Sequence, residues 1–307
     1  MPNIPTQHIL DRDLSVANVR DVCEVGGPAL RAVVDEGIRV FERCNRSATR
    51  HEENLGLLFS LYQMLEFLDA VEITLANAST VGAVVLLRSA LEAFWALEWI
   101  ALDIPKHGAA CAVVLIHMQI ATWERAEEDH LSRQRFLEIL GKDPVAQRIA
   151  PPVESVAAER IAGLRSVLDR PHLRDAETEY KRQKKKREFY SFWNGPQNVE
   201  QLAMKLNDHA SYEILYRNWS QTSHAQDALR RISSADGMAA VRVFRAGEDI
   251  ATIYQFAIVF GVKGMRAVLN HYRPDELDHS FKTWYAKAVA PSLRQLEAAR
   301  GSESDPH

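Results

Sequence analysis

Apolar residues recur along most of the chain at intervals of three and four positions, the spacing that places them on one face of an α-helix. Alternating β-branched runs between turn dipeptides are missing from the sequence, so this pattern predicts no sheet. We therefore predict an all-α protein, built as a multi-helix bundle. Ser15 is predicted to cap a first helix that extends to about Cys44, and Thr49 is predicted to cap a second helix.

The most apolar predicted helix extends from about Thr80 to Asp103. Apolar residues cover nearly every side of it, which predicts a central position in the bundle. Pro105 is expected to begin a fourth helix, and residues 141–152 have the composition of a break between elements. Two final helices are predicted near residues 248–271 and 274–300.

These helices are predicted to form one domain over residues 1–307. Residues 15–141 are expected to form an N-terminal helical bundle, and residues 191–300 are expected to complete its core. Between them, residues 153–190 are charged and only sparsely apolar, with an interruption near Pro171. This composition predicts an inserted, exposed helical arm.

Composition and charge indicate which class of protein this is, but they do not identify a binding partner. Hydrophobic residues make up 47% of the chain, enough for a sizeable core, and a net charge of -4 gives no overall attraction to nucleic acid or to a membrane. Three unevenly spaced cysteines do not form a disulfide framework, which favours a reducing compartment. The N-terminal sequence lacks a secretory pattern. We expect a cytoplasmic protein that does not enter the membrane.

Two charged residues lie within the most apolar helix. Arg88 and Glu92 are four residues apart, so they share one helical face and are within reach of an ion pair. Breaking a buried pair costs roughly 3–5 kcal/mol, so both side chains need partners or a water-filled pocket. The pair is therefore either a structural polar network or part of a functional site.

A second polar cluster lies in the sequence YRNWSQTSH, within a helix predicted at about residues 211–226. Tyr216, Ser220 and His224 follow one another at intervals of four and share one helical face. Arg217 and His224 are about 10 Å apart along a continuous helix, so joint action would need a bent helix or a folded-back arginine. The alternative is a histidine with a purely structural role.

Three segments of the chain together resemble a family of uncharacterised bacterial helical proteins. They are LLRSALEAFWAL, FWNGPQNVEQLA and YRNWSQTSHAQ, which fall within residues 86–226. They are similar to that family's Arg-Ser-x-x-Glu helix, Trp-x-Gly loop and Tyr-x-x-x-Ser-x-x-x-His helix. The resemblance implies a shared helical fold and a shared polar site, and the family has no established activity.

A second resemblance is to the HEPN helical ribonucleases, whose motif is an arginine and a histidine separated by a few residues. Arg217, Asn218 and His224 resemble that motif, and Arg217 differs from other arginines at this spacing because asparagine follows it. In that superfamily two protomers commonly bring their motifs together in a cleft. The resemblance therefore implies a HEPN-like core and a homodimer.

The HEPN resemblance also implies metal-independent cleavage of RNA with no cofactor. His224 would exchange protons with the reacting oxygens, and Arg217 or Arg88 would stabilise the charged phosphorane. Glu92 would orient an arginine or the imidazole. Candidate phosphate-binding side chains are those of Tyr216, Asn218 and Ser220.

A basic run, KRQKKKR at residues 181–187, lies just before the aromatic segment FYSFWNGPQN. Cations beside stacking surfaces are typical of single-stranded nucleic-acid sites, which makes Lys184, Lys185 and Trp193 candidate RNA contacts. The alternative is a solvated basic face followed by aromatic residues that anchor a loop in the core.

Other chemistry finds little support in the sequence. His107, His117, His130 and His209 are scattered and lack a compact ligand pattern, so no metal site is predicted. Glycine-rich phosphate loops, dinucleotide fingerprints and the Gly-x-Ser-x-Gly elbow are absent from the sequence.

The sequence supports three hypotheses about function. The leading one is a metal-independent ribonuclease or RNA-binding effector in a stress or phage-defence setting. The second is a non-catalytic helical interaction module, in which Arg88, Glu92, Tyr216 and His224 form a structural network. The third is a small-molecule pocket lined by Phe94, Trp95 and Trp99.

Overall fold

The structure is a computed structural model that describes residues 10–48, 52–141, 143–148, 152–183, 188–223, 232–235, 238–241, 244–245, 247 and 249–303. Helices dominate these residues, which confirms the all-α class and the multi-helix bundle. A short antiparallel hairpin between Ile232–Ala235 (β1) and Met238–Val241 (β2) is an addition that the sequence pattern did not predict. The prediction that Thr49 caps a helix falls outside the described residues.

The α-helices are numbered in chain order. They are α1 (Arg12–Ser47), α2 (Glu52–Ala76), α3 (Thr80–Leu102), α4 (Ala109–Ala126), α5 (Leu131–Leu140), α6 (Pro144–Arg148), α7 (Ala157–Leu168), α8 (Arg174–Arg182), α9 (Val199–Lys205), α10 (His209–Ser211), α11 (Arg217–Ser223), α12 (Ile250–Tyr272), α13 (Lys282–Ala288) and α14 (Ala290–Glu303). Single π-helical turns occupy Ile104–Gly108, Tyr212–Tyr216 and Leu277–Phe281, and 3-10 segments occupy Pro171–Leu173 and Phe189–Asn194.

The chain divides into two compact units. The first unit comprises Met1–Thr49, Leu57–Ala101 and Val199–His307, and the second comprises Arg50–Gly56 and Leu102–Asn198. This division differs from the predicted one, because residues 102–141 group with residues 153–190 and not with the N-terminal helices.

The cap of α1 is Asp11, so the prediction that Ser15 caps this helix is wrong. Asp11 has an extended backbone (φ -113°, ψ 107°), and its carboxylate accepts a hydrogen bond from the Leu14 N–H. Ser15 lies in the first turn of the helix, where its hydroxyl donates to the Asp11 carbonyl oxygen at 2.5 Å. Both residue types are good caps, but the free N–H groups of the first turn lie nearer to Asp11.

The core of the first unit is built where α1 packs against α12 and α14. A close approach between α1 and α12 depends on Gly26, since a Cβ atom there would lie 2.5 Å from the ring of Tyr254. In α3, the side chains of Leu87, Leu91 and Trp95 are fully buried, in agreement with the predicted burial of this helix.

Two helices, α3 and α12, are long and apolar enough to cross a membrane by length and composition alone. Charged residues interrupt both, with Arg88 and Glu92 in α3 and Lys263 and Arg266 in α12. Both helices bury many of their apolar side chains within the first unit. Core helices of soluble proteins pass the same test of length and composition, so these two helices are weak evidence for a membrane span.

In the second unit, α4 packs against α5, α7 and α8. Residues 153–190, predicted to form an exposed charged arm, are packed against α4 through buried apolar side chains. These are Ala157, Ile161, Leu168, Leu173 and Ala176. The predicted interruption at Pro171 is present as the 3-10 segment between α7 and α8. The segment is therefore a helical layer of this unit, and two of its charged side chains, Glu177 and Glu179, are buried as well.

Candidate functional site

The π-helical turn Tyr212–Tyr216 directs the Tyr216 side chain towards two charged residues of α3. Arg88 Nη2 donates a hydrogen bond to the Tyr216 hydroxyl at 2.8 Å, and this hydroxyl donates to Glu92 Oε1 at 2.8 Å. The Arg88–Glu92 ion pair closes the triangle with a distance of 3.1 Å between Nη2 and Oε1. The guanidinium carbon also lies 4.7 Å from the centre of the Tyr216 ring. We call these three residues the Arg–Glu–Tyr cluster.

Neighbouring side chains fix the plane of the Tyr216 ring. Tyr212 stacks on it at 5.3 Å between ring centres, and the buried Trp95 lies 5.7 Å away on a tilted plane. The indole Nε1 of Trp95 donates to Asp208 Oδ2 at 2.8 Å, and Ser211 donates to the other oxygen of Asp208 at 2.6 Å. Asp208 was not among the predicted site residues, although a tryptophan buried in an apolar helix signals that its N–H needs an acceptor.

Burial and the two charged neighbours decide the protonation of Tyr216. Burial raises the pKa of this phenol, Arg88 lowers it, and Glu92 raises it again through its hydrogen bond and its charge, with a net upward shift. The phenol therefore remains protonated at neutral pH and acts as the donor to Glu92. The Arg88 side chain is only 19% exposed and that of Glu92 is 43% exposed, so the carboxylate end of the cluster meets solvent.

One donor of Arg88 remains without a hydrogen bond in the described part of the chain. This donor is the Nε–H group, which is buried. An unpaired buried donor costs free energy, about 1–3 kcal/mol in typical cases. The cluster thus holds a cation whose hydrogen-bonding capacity is not fully used by the described residues.

The remaining residues predicted for this site make their contacts elsewhere or are not described. Arg217, which is 57% exposed, pairs with Glu213 at 2.9 Å and lies over the ring of Tyr212. Asn218 donates to the carbonyl oxygen of Ile214, in the preceding π-helical turn, at 2.7 Å. Ser220 is partly buried one turn beyond Tyr216 in α11. His224 falls outside the described residues.

The predicted RNA contacts near the basic run lie in the second unit or are not described. Trp193 packs against the core of that unit and carries the Lys106 ammonium 5.2 Å from its ring centre. Its backbone has φ +50°, and its N–H donates to Glu179 Oε1 at 3.2 Å. Lys184 and Lys185 fall outside the described residues. The described contacts of Trp193 are those of a residue that anchors a loop in the core.

Glu179 is an anchoring residue that was not predicted from the sequence. Arg182 donates to both of its carboxylate oxygens, at 2.8 and 2.9 Å. The bound Arg182 guanidinium, helped by the Trp193 N–H, lowers the pKa of Glu179 to about 2. Nothing in the sequence marks this carboxylate, because it stands in a run of charged residues where most side chains are solvated.

One imidazole and two carboxylates lie close together in space, although no metal site was predicted. They belong to residues that shortly precede Tyr216 in the sequence. One ligand atom from each of Glu200, His209 and Glu213 lies within 4.8 Å of the others. Glu200 comes from α9, and Asn207 (φ +56°) lies between this helix and α10. Mixed imidazole and carboxylate sets of this kind can bind a divalent metal ion.

Comparison with known proteins places the chain in a family. The model of a family of unknown function, DUF5677, matches residues 55–239, which is more than half of the chain. The chain belongs to the DUF5677 family. The matched region includes all three residues of the Arg–Glu–Tyr cluster. Membership confirms the predicted resemblance to an uncharacterised family. No curated protein and no solved structure matches this DUF5677 protein.

Proposed function

We propose that this DUF5677 protein is a metal-independent ribonuclease or RNA-binding effector whose phosphate site is the Arg–Glu–Tyr cluster. The observation that carries the proposal is the Tyr216 hydroxyl, which lies 2.8 Å from both Arg88 and Glu92 although more than 120 residues separate it from each. A guanidinium is a donor that suits the oxygens of a phosphodiester, and the Tyr216 phenol, which donates its hydrogen bond to Glu92, helps to hold that guanidinium in place.

The proposed reaction uses the 2′-hydroxyl of RNA as its nucleophile. This oxygen attacks phosphorus as a base takes its proton, and the bond to the 5′-oxygen breaks as an acid returns a proton to it. His224, which follows α11 directly in sequence, is the proposed proton carrier. Arg88 is proposed to stabilise the charge on the phosphorane, and Glu92 to hold the guanidinium in place.

Electrostatics supports the choice of Arg88 over Arg217 as the phosphate ligand. Arg88 has a largely buried side chain, whereas the guanidinium of Arg217 is mostly solvated. A charge interaction is stronger where water is partly excluded. Arg217 is instead proposed to position Glu213 and the π-helical turn.

A second candidate function is supported by the hydrogen bonds of the Tyr216 hydroxyl, which are all made within the cluster. The Tyr216 hydroxyl both accepts from Arg88 and donates to Glu92, which leaves the phenol no further donor. A network of this kind also suits a non-catalytic interaction module, in which buried polar residues fix how helices pack.

We further propose a cytoplasmic setting, a HEPN-like core, a homodimeric state and a role in stress or phage defence. The support for the cytoplasm is the state of the thiols, because Cys23, Cys44 and Cys111 are all free. Disulfides would be expected in an oxidising compartment. The homodimer, the HEPN-like core and the defence role rest on the similarity of Arg217, Asn218 and His224 to the HEPN motif.

The test is cleavage of labelled total RNA in the presence of a chelator, using the full chain. Wild type is compared with His224→Ala and Arg88→Lys, which keeps the charge but loses the planar donor array. His279→Ala removes an exposed histidine elsewhere and serves as the control. We expect wild type and control to cleave RNA and the other two variants to lose cleavage while keeping their melting temperatures.

Two results would contradict the proposal that this protein is a ribonuclease. One is intact RNA with wild-type protein at high protein concentration. The other is equal cleavage by all variants, which would indicate a contaminating nuclease. If Arg88→Lys chiefly lowers the melting temperature and wild type does not cleave, the structural network is the better description.

A further inference from the structure

The three side chains of the mixed cluster come from short, adjoining elements of the first unit. His209 lies in α10, and Glu213 follows one turn later in the π-helical turn. Glu200 comes from α9, which ends just before Asn207. The ligand atoms of the three residues lie within 4.8 Å of one another.

The spacing between His209 and Glu213 fits a bridging ion better than a direct hydrogen bond. Nε2 of His209 lies 3.5 Å from Oε1 of Glu213. Good hydrogen bonds between nitrogen and oxygen are about 2.7–3.2 Å long. Two ligands bound at about 2.1 Å in a tetrahedral arrangement are separated by about 3.4 Å. These two atoms are therefore close to the positions that a shared metal ion requires.

Neighbouring residues hold both side chains in this orientation. The imidazole of His209 stacks on Tyr212, with 6.1 Å between ring centres and 9° between the planes. Arg217 binds the other oxygen of Glu213, Oε2, at 2.9 Å, which leaves Oε1 facing the imidazole. Outer contacts of this type orient metal ligands and strengthen binding.

We propose that Glu200, His209 and Glu213 bind a divalent transition-metal ion of the Zn²⁺ type. Two carboxylates offset part of the charge of such an ion, since Arg217 already pairs with Glu213, and an imidazole nitrogen favours it over Mg²⁺ or Ca²⁺, which prefer oxygen ligands. Because His209 is exposed, water completes the coordination. The ion links α9 to the helical segment that carries Tyr216.

The site goes beyond the proposed RNA chemistry, which needs no metal. Its test is therefore a binding measurement without RNA, so its outcome is independent of whether the protein cleaves RNA. The full chain is freed of metal with a chelator and titrated with ZnCl₂ in a calorimeter, and melting temperatures are recorded with and without the ion. The same titration with MgCl₂ tests selectivity.

Two variants remove single ligands and one serves as the control. His209→Ala and Glu200→Gln each remove one ligand, whereas His279→Ala removes an exposed histidine of a different π-helical turn. We expect wild type and control to bind one more Zn²⁺ than the two ligand variants, whose affinity at this site falls at least about 100-fold. Zn²⁺ should raise the melting temperature of wild type and control only.

Equal Zn²⁺ binding by all four proteins would overturn the proposal, because ions held by other histidines or thiols contribute equally to each. Binding of Mg²⁺ with the same affinity would overturn the choice of a transition metal. His209 is exposed and Glu200→Gln preserves shape, so both variants should match wild type in metal-free melting temperature.

Discussion

The Tyr216 hydroxyl lies 2.8 Å from Oε1 of Glu92, and the two residues are 124 positions apart in the chain. The same hydroxyl accepts a hydrogen bond from Arg88, so a single phenol oxygen connects both charges of the ion pair. This connection joins the helical segment around Tyr216 to α3 within the first unit. The contribution of these hydrogen bonds to stability can be measured by removing the hydroxyl oxygen of Tyr216.

Tyr216→Phe should lower the free energy of unfolding by about 1–2 kcal/mol, because it removes two hydrogen bonds to charged groups while keeping the stacked ring. Urea denaturation measures this change. Tyr62→Phe is the matched control, since the Tyr62 side chain is partly exposed and should contribute less than about 0.5 kcal/mol. Equal stability of the two variants would show that the hydroxyl of Tyr216 contributes nothing.

Glu179 should make the protein sensitive to acid. Its pKa, lowered to about 2 by the Arg182 hydrogen bonds, lies below that of the unfolded chain, so the folded state keeps the carboxylate ionised. The stabilisation is complete above the unfolded-state pKa of about 4.3 and is lost as the pH falls towards 2. Glu179→Gln should reduce the melting temperature at pH 7 and flatten its decline between about pH 4.3 and 2.

Glu128→Gln provides the comparison for this pH series, because Glu128 is exposed on the same unit. Its melting curve should follow that of wild type at every pH. If Glu179→Gln also follows wild type, the Trp193 loop is not held by this carboxylate.

Replacing Gly163 and Gly195, both in the second unit, with alanine should change the stability of the protein in opposite directions. A Cβ atom at Gly195 would overlap the Tyr190 carbonyl oxygen and lie 3.0 Å from that of Phe192, both of them backbone atoms. Gly163 lies inside α7 with open space around the added atom. We expect Gly195→Ala to lower the melting temperature clearly and Gly163→Ala to stabilise by about 0.5–1 kcal/mol. A neutral Gly195→Ala would mean that the loop repacks at no cost.

The three thiols should react with a thiol reagent in a fixed order. Burial raises the pKa of Cys111 to about 12 and that of Cys44 to about 11, so few thiolates form there at pH 8. Cys23 is only partly buried and should react first in the native protein, and all three should react in guanidinium. Native Cys23→Ser should therefore show almost no fast reaction. Rapid labelling of three thiols in the native protein would contradict the burial of Cys44 and Cys111.

Local patterns in the sequence predicted part of this molecule well. The start of α3 at Thr80 and the interruption at Pro171 follow from apolar spacing and proline geometry. The Arg88–Glu92 ion pair follows from the spacing of four residues on one helix. Each of these depends on residues that are near one another in the chain.

Features that depend on distant residues were not predictable in the same way. The packing of residues 153–190 was missed because a few apolar side chains, such as Ile161 and Leu168, suffice when α4 supplies the opposing surface. The bond between Tyr216 and α3 joins segments more than 120 residues apart. The β-hairpin has strands of only four residues, too short for an alternating pattern to stand out.

The number of residues in the π-helical turn Tyr212–Tyr216 determines where the Tyr216 side chain points, as much as the identity of those residues does. A π-turn holds one more residue than an α-helical turn, so deleting one residue there would rotate the following helix by about 100° and shorten it by about 1.5 Å. The phenol of residue 216 would then leave Arg88 and Glu92. Exposed Ile214 should accept many substitutions, whereas the loss or gain of one residue between positions 212 and 216 should separate the cluster.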